Sequence, residues 1–509
     1  MPEKIARREF IGLPKSGGRS HATVAAPLTP ESVSPKFDGL AQVWVTDSKN
    51  KLARVQDAAW TSASGGASAA ATIVLHPGVA HQEMLGFGAA LTGGACRVFS
   101  KLPADQRSQL FHRLFHPTEL GMNVCRTCIG SSDCSEAVYS YDDGEVDPDL
   151  TRFSIDKDRE YILPMLREAR AANPEMFLFA SPWSPPGWMK SNGSLLGGCM
   201  RHTYMPSYAN YFLQYLLAYE SAGVPLQAVT IQNEVDADQD GTMPACAWPQ
   251  DYEADFLTMH LGPLFQRAGI ATKIWIIDHN FNLWGRAIGE LSNAAAYQYI
   301  DGIAWHGYAG DPSGMTKVHD AFPEKSAYFT EGGPLRDPDS ARLPGTNPQM
   351  GWARWATWAN SVFRNWARSL TVWNLALDEN GTPYIGHPDP DDPPLGPSTG
   401  IITVESGTHK ITRNARFWAI AHYSKHVRRG AKVFRTDGVA EIPAQPSSSQ
   451  PSAGRVSHVG FRNPDGSFVV VLTNSGEERQ IQLVLNSSVG SSALDVELPA
   501  DSVQTLQWS

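Results

Sequence analysis

The sequence predicts an α/β protein: a (β/α)8 TIM barrel with an associated β-sandwich domain formed from both chain ends. Three observations carry this. Eight short apolar, β-prone runs recur between residues 85 and 377 and alternate with helical stretches. Strand-like segments gather again at 40–76 and 431–509. A chain of 509 residues with 42% hydrophobic composition also has material for a barrel and a second, smaller domain.

Taken in chain order, residues 1–36 are rich in Pro, Ser and Gly and read as a disordered N-terminal segment. Within it, Ala6-Arg7-Arg8-Glu9-Phe10 resembles a twin-arginine export signal, but Pro14, Lys15, Arg19 and His21 interrupt the apolar stretch that should follow. A secreted or periplasmic location is expected if that start is functional, and a cytoplasmic one otherwise. Residues 37–81 supply sandwich strands, with 42–45 and 71–75 as the apolar runs and an Ala/Ser/Gly stretch at 61–71 between them. The barrel spans 82–426. Its strand runs are 85–90, 123–130, 177–184, 228–235, 273–280, 302–309, 326–333 and 370–377. Helix candidates lie between them at 105–116, 156–172, 207–222, 251–268, 285–298 and 351–368, and one at 412–426 closes the last unit. An open doubly wound sheet is the alternative, but it would normally carry a glycine-rich phosphate loop, and Gly86-Phe87-Gly88 lacks the third glycine. An Asp/Pro-rich loop, 378–400, follows the eighth run. Residues 427–509 return to strands at 455–461, 467–473, 479–485, 493–498 and 502–508, beyond a low-complexity linker at 444–453.

Composition narrows the function. A net charge of −10 argues against a nucleic-acid partner. No apolar run reaches the length of a membrane span. Cys125 and Cys128 form a C-x-x-C, but a strand turns residues three apart to opposite faces, and no second pair stands at zinc spacing. Neither a G-x-S-x-G elbow nor H-E-x-x-H is present, and no metal or cofactor is expected. Cys199 and Cys246 fall in the loops after strands three and four, which are neighbours in a barrel. They are expected to approach each other, as a bridge or as two free thiols.

Barrel enzymes place their chemistry at the C-terminal ends of strands. Those ends carry Arg126 and Asp133 (strand two), Trp183 (three), Asn233 and Glu234 (four), Asp278 and His279 (five), His306 and Tyr308 (six), Glu331 (seven), and Trp373 and Asn374 (eight). Glu234 and Glu331 stand out, because strands four and seven face each other across an eight-stranded mouth. Glycoside hydrolysis needs that arrangement: one carboxylic acid protonates the leaving oxygen, while a carboxylate attacks or activates water from the other side. A single strand-end glutamate is more often a helix cap or half of an ion pair; two facing ones with aromatics between them are not. A non-catalytic carbohydrate-binding protein on a decayed barrel would be expected to have lost one of them.

Several irregular motifs then carry a resemblance. Residues 180–193 read ASPWSPPGWMKSNG, Asn233-Glu234-Val235 ends strand four, Thr330-Glu331-Gly332-Gly333 ends strand seven, and Trp373-Asn374-Leu375-Ala376-Leu377 follows strand eight. With Ser132-Asp133-Cys134-Ser135 and Tyr139-Ser140-Tyr141, these make residues 82–508 similar to glycoside hydrolase family 30, the group containing glucosylceramidase (acid β-glucosidase). The resemblance implies a retaining β-glycosidase with Glu331 as nucleophile and Glu234 as acid/base. It implies that Asp133, Trp183 and Trp373 line the sugar pocket and that Asn233 holds the 2-hydroxyl. Arg126 and Tyr308 would contact the nucleophile, His306 would sit near it, and Asn374 would join the substrate residues. Glu331 beside Arg126 should stay ionised, and Glu234 should be displaced upward.

Departures from the family pattern bear on the substrate. Val235 replaces the usual Pro, Gly307 stands where glucosylceramidase-like members often carry Trp, which predicts a more open wall, and the loop Asp236–Gly241 is acidic, resembling a calcium loop only weakly and without its distal Glu. A β-linked glucoside, glucan or glycolipid is expected as substrate. β-Glucosidase or glucosylceramidase-like action is the first expectation, with glucosides preferred to xylosides; endo-β-1,6-glucanase and β-xylosidase are the alternatives.

Overall fold

The computed structural model describes residues 39–62, 71–333, 351–386, 400–438, 456–487 and 490–509. The N-terminal segment 1–36 with its Arg7-Arg8 pair, most of the stretch 61–71, the linker 444–453 and much of the loop 378–400 therefore lie outside the described residues.

Eight parallel strands form the barrel: Gly86–Ala89, Val124–Ile129, Phe177–Pro182, Ala228–Thr230, Lys273–Asn280, Ile300–His306, Ser326–Glu331 and Ala367–Val372. Strands two to eight pair with their neighbours in chain order, and strand eight pairs back onto strand one. The ring closes between strands one and two, where Asn123 N–H reaches Phe87 O at 3.0 Å and Leu91 N–H reaches Arg126 O at 2.7 Å. This seam explains the glycines of the first run. A Cβ at Gly88 would lie 1.9 Å from Val124 O, so only glycine lets the two backbones approach.

The expected helices appear, with informative shifts. The stretch 251–268 is a continuous helical run broken by a π-turn at Phe256–Leu261. Two further helices, Gly93–Ser100 and Ser313–Ala321, complete units whose short periodic patterns give little signal. The eighth strand sits earlier than its apolar run suggests. It ends at Val372, and Ala376–Leu377 joins a separate small sheet with Ile402–Val404 and Ile411–Arg413.

Inside the barrel the pleat builds layers. Val124, Phe179, Ala228, Trp275, Ala304 and Tyr328 form their own apolar cluster, with Trp275 stacked on Tyr328 at 4.0 Å. Two residues further along five of these strands stand Arg126, Ser181, Thr230, His306 and Thr330, all buried. The barrel is thus plugged by aromatics below and carries a polar layer above, at the end where barrel enzymes work.

Both chain ends build the second domain. Leu40–Thr46 pairs antiparallel with the last strand, Ser502–Trp508, while Ala71–Glu83 lies between Lys432–Gly438 and Arg479–Ser487. Ile73, Leu75, Leu483, Val496 and Leu506 share its core. Among the described residues no helix is long and apolar enough to cross a membrane.

The helix Ala415–Ser424 ties the two domains. Its buried His422 is hydrogen-bonded through Nδ1 to Thr505 Oγ1 and through Nε2 to Thr46 Oγ1, both at 2.8 Å. Burial holds His422 well below 6.5, and His426 and His458 are brought down to about 4 and about 3. The folded protein keeps these rings neutral, so it binds fewer protons than the unfolded chain below pH 6.5. Their contribution is complete above that pH and is lost as pH falls, by about 1.4 kcal/mol per group per pH unit. Tm should therefore drop between pH 7 and pH 5. His422→Gln, which retains a donor and an acceptor, should lose about 2 kcal/mol less over that interval. Equal losses in calorimetric scans of the two proteins would show that His422 does not carry the linkage.

Candidate active site

Glu234 and Glu331 face each other over the polar layer, 9% and 6% exposed. One oxygen of each, together with a ring nitrogen of His306, lies within 4.8 Å of the others. Their surroundings differ. Glu331 Oε2 receives Arg126 Nη1, and its Oε1 receives the Tyr308 hydroxyl at 3.0 Å. Glu234 Oε2 receives Gln239 Nε2, and its Oε1 is 3.4 Å from His306 Nδ1 and 3.7 Å from His279 Nε2. The backbone of Glu234 is left-handed, with φ of 56°, four residues beyond the last paired residue of strand four, Thr230. The Glu234 N–H is held by Asp278 O at 3.0 Å.

Arg126 joins these groups. Its Nη2 donates to Asn233 Oδ1 and Asp278 Oδ2, both at 2.7 Å, and its Nε to Ser181 Oγ at 3.0 Å. Trp183 and Trp373 stack at 5.1 Å, and the guanidinium lies 4.7 Å from the Trp183 ring. Trp373 Nε1 donates to Asp133 Oδ2 at 3.3 Å, whereas Asp133 Oδ1 is buried without a protein partner. Burial, followed by the charge of Glu331, pushes the Asp133 carboxyl up to about 7. Arg126, Asp133, Trp183, Asn233, His306, Tyr308 and Trp373 are thus gathered around the two glutamates. Asn374 Oδ1 accepts from Thr92 Oγ1 at 3.1 Å, at the cap of the helix Gly93–Ser100, while its Nδ2 is buried without a protein partner.

Two expectations, for Glu234 and for Gly307, need correction. Glu234 is not displaced upward. Burial pushes in that direction, but the hydrogen bond and charge of His306, aided by His279 and Gln239, bring it below its ordinary value. His306 goes the other way. Burial opposes its charge, yet Glu331, Asp278 and Glu234 carry it up to about 9. Glu234, His306 and Glu331 each offer one ligand atom within 4.8 Å of the others, and His306 would have to release a proton before ligating a metal. Gly307 does not open a wall, because a Cβ there would come within 2.8 Å of Trp358, whose indole fills that face. Cys199 and Cys246 are not bridged. Their loops do meet, with Cys199 paired to Ala247, but this register leaves Cys199 exposed and Cys246 buried, both as free thiols.

One central residue, Asp278, has no assigned role in the sequence pattern. Asp278 Oδ2 receives Arg126, Ser181 and Thr230, each at 2.7 Å, and Oδ1 receives Thr330 at 2.7 Å and His306 Nε2 at 3.0 Å. These donors hold it well below the usual carboxylate range, against the pull of burial. Strict alternation from Trp275 would turn Ile277 inward and Asp278 outward. A register shift between Ile277 and His279, with φ of 73° at Ile277 and 44° at Asp278, reverses this. Only the polar Asp278-His279 end of an otherwise apolar strand signalled it. Gln239 and Asp236, which lies 2.5 Å from His279 Nδ1, are likewise loop residues with no periodic signal.

Comparison with known proteins agrees with this geometry. Residues 84–427 match the glycosyl hydrolase family 30 TIM-barrel domain, and residues 446–506 match the family's β-sandwich domain. The chain belongs to glycoside hydrolase family 30. An endo-1,6-β-D-glucanase of Neurospora crassa is 31% identical over 459 residues, covering 88% of this chain and 90% of the relative. The lysosomal acid glucosylceramidase of Mus musculus is 26% identical over 457 residues, covering 86% and 83%. The solved structure of the endo-β1,6-glucanase BT3312 superimposes with a TM-score of 0.74 at 26% identity, covering 92% of this chain and 99% of that one. This family 30 protein is accordingly a glycoside hydrolase acting on β-glycosidic substrates.

The Arg126 fork gives a test of the site. Lysine keeps the charge but cannot serve Glu331, Asp278, Asn233 and Ser181 together. Leaving buried carboxylates unmatched costs about 3–5 kcal/mol. Arg126→Lys should lower Tm and reduce kcat on an aryl β-glycoside by about 100-fold or more. A variant that raised KM alone would mean that the guanidinium does not organise the carboxylates.

Proposed function

We propose that this family 30 enzyme is a retaining endo-β-1,6-glucanase, with Glu331 as nucleophile and Glu234 as acid/base. The observation that carries the mechanism is the short separation of the two carboxylates. Nearest oxygens within 4.8 Å of each other support the separation of about 5–5.5 Å between carboxyl groups that retaining enzymes use over the wider one of about 6.5–9.5 Å in inverting enzymes. The substrate rests on the relatives. The Neurospora crassa glucanase has higher identity and coverage than the mouse glucosylceramidase, and a second β-1,6-glucanase shares the fold over nearly its whole length. That favours the glucanase alternative over the β-glucosidase or glucosylceramidase reading expected first.

The roles follow from the partners. Glu331 accepts from Arg126 and Tyr308, and burial and the Glu331 charge push the Tyr308 phenol upward so that it stays a donor. Glu331 attacks the anomeric carbon while Glu234 protonates the departing oxygen; a water activated by Glu234 then releases the sugar from Glu331. Asp133 Oδ1 offers an open acceptor to ring hydroxyls, with Trp373 Nε1 beside it as a donor. Asn233, oriented by Arg126, is placed for the 2-hydroxyl.

The protein should cut β-1,6-glucan internally, releasing oligosaccharides from the earliest time points with β-configured reducing ends by NMR. It should act far less on glucosylceramide or aryl β-xylosides. Release of glucose alone would overturn the endo reading, and α-configured products the retaining one. Glu331→Ala should abolish turnover on every substrate. Glu234→Ala should lose about 10²–10⁴-fold on oligosaccharides, less on a dinitrophenyl glycoside, and with azide should yield a β-glycosyl azide. If azide instead gave the β-product with Glu331→Ala, the two roles would have to be exchanged.

A further inference from the structure

We propose that Asp278 is a positioning residue that holds His306 as the proton partner of Glu234, so that the proton delivered to the leaving oxygen is one that Glu234 and His306 share. This rests on the assignment of Glu234 as acid/base. The geometry is a line of three groups through the buried layer: Asp278 Oδ1 to His306 Nε2 at 3.0 Å, and His306 Nδ1 to Glu234 Oε1 at 3.4 Å. Asp278 cannot swing away or take the proton itself, because Arg126, Ser181, Thr230 and Thr330 also donate to it. It therefore fixes Nε2–H and leaves Nδ1 as the exchanging atom.

The groups around the pair are consistent with one shared proton. Glu234 is faced by His306 and His279 on Oε1 and by Gln239 on Oε2, with Asp236 on the far nitrogen of His279. His306 is faced by Asp278, Glu234 and Glu331 Oε2, the last at 3.8 Å, with the rings of His279 and Tyr308 about 6 Å away. Arg126 lies beyond Asp278 and on Glu331. Three carboxylates, Asp278, Glu331 and Glu234, thus surround His306, while the one guanidinium pairs with only the first two, and a proton on the pair limits the excess negative charge. His306 raised and Glu234 lowered is how the unliganded site places it. As the glycosidic bond breaks, Glu234 gives a proton to the leaving oxygen and takes the one from Nδ1, leaving His306 neutral with Nε2–H still on Asp278. In the second step Glu234 takes a proton from the attacking water and passes it back to Nδ1. Over the cycle no proton is gained or lost, and Glu331 returns as a carboxylate.

The test compares two leaving groups. In Asp278→Asn the imidazolium loses its fixed counter-charge, so the pair should release its proton at lower pH. The basic limb of kcat/KM on a β-1,6-linked gluco-oligosaccharide, which needs the acid, should move down by about one pH unit or more. On dinitrophenyl β-gentiobioside, whose leaving group needs no proton, the limb should stay where it is. Equal shifts on both substrates, or none, would overturn the proposal; a wild type inactive on both would instead overturn the proposed function. If Asp278→Asn does not fold, nitrogen-15 histidine NMR of the wild type decides, with His306→Gln identifying the signal. Both ring nitrogens of His306 should carry protons at pH 7, and a neutral ring there would refute the inference.

Discussion

An arginine sealed from water is tolerated only where carboxylates meet it, and Arg126 is met by two, Asp278 and Glu331. Asn233 and Ser181 take the remaining donors, and the Trp183 ring covers one face. The rest of the site is arranged around that pairing. Because Asp278 also holds Ser181, Thr230, Thr330 and His306, side chains from strands two to seven are locked to one another in a single buried network. Removing any charged member leaves another unmatched, so position and protonation are set together rather than residue by residue.

The network can exist there because the layer beneath it is dry. Trp275 and Tyr328 fill the barrel below the polar groups and, with Phe179, separate them from the other end. In such surroundings an ion pair is stronger than at the surface and an unmatched charge costs more. The mouth above is where substrate replaces water. The mouth presents two stacked indoles and Asp133, whose carboxyl is pushed up to about 7 by burial and by the charge of Glu331. Hydroxyls donating to its unpartnered oxygen would favour the carboxylate form.

How much of this the sequence revealed follows from periodicity. Apolar runs that end in polar residues are a property of barrel strands, so the eight strands and the two facing glutamates were legible from the pattern. The strand ends also pointed to Asp133, Trp183 and Trp373, and the family motifs added only the roles expected of them. What failed was local geometry. Asp278 reaches the interior only because strand five bulges between Ile277 and His279, and an apolar run does not announce a bulge. Gly307 reads as empty space until Trp358 is seen to occupy it. The displacement of Glu234 depends on His306, a buried histidine whose charge is decided by carboxylates on three other strands.

The loops after strands three and four act on the same centre from outside. Lys190 is buried where they meet, donating to Ser184 Oγ, Leu195 O and Ala245 O, and burial brings it down to about 8. A buried ammonium with three oxygen partners pins both loops, and the second of these loops carries Gln239 to Glu234 and Asp236 to His279. Val235 adds to this by accepting the Trp248 N–H at 2.7 Å, which fixes the chain immediately beyond Glu234. Backbone hydrogen bonds of Asn233 to Pro182 O, of Glu234 to Asp278 O and of Trp248 to Val235 O thus flank the left-handed turn at Glu234. The acid/base candidate is therefore positioned from below by Asp278 and from the side by its own loop. That leaves its side chain, rather than its backbone, as the part able to move a proton between His306 and a departing sugar.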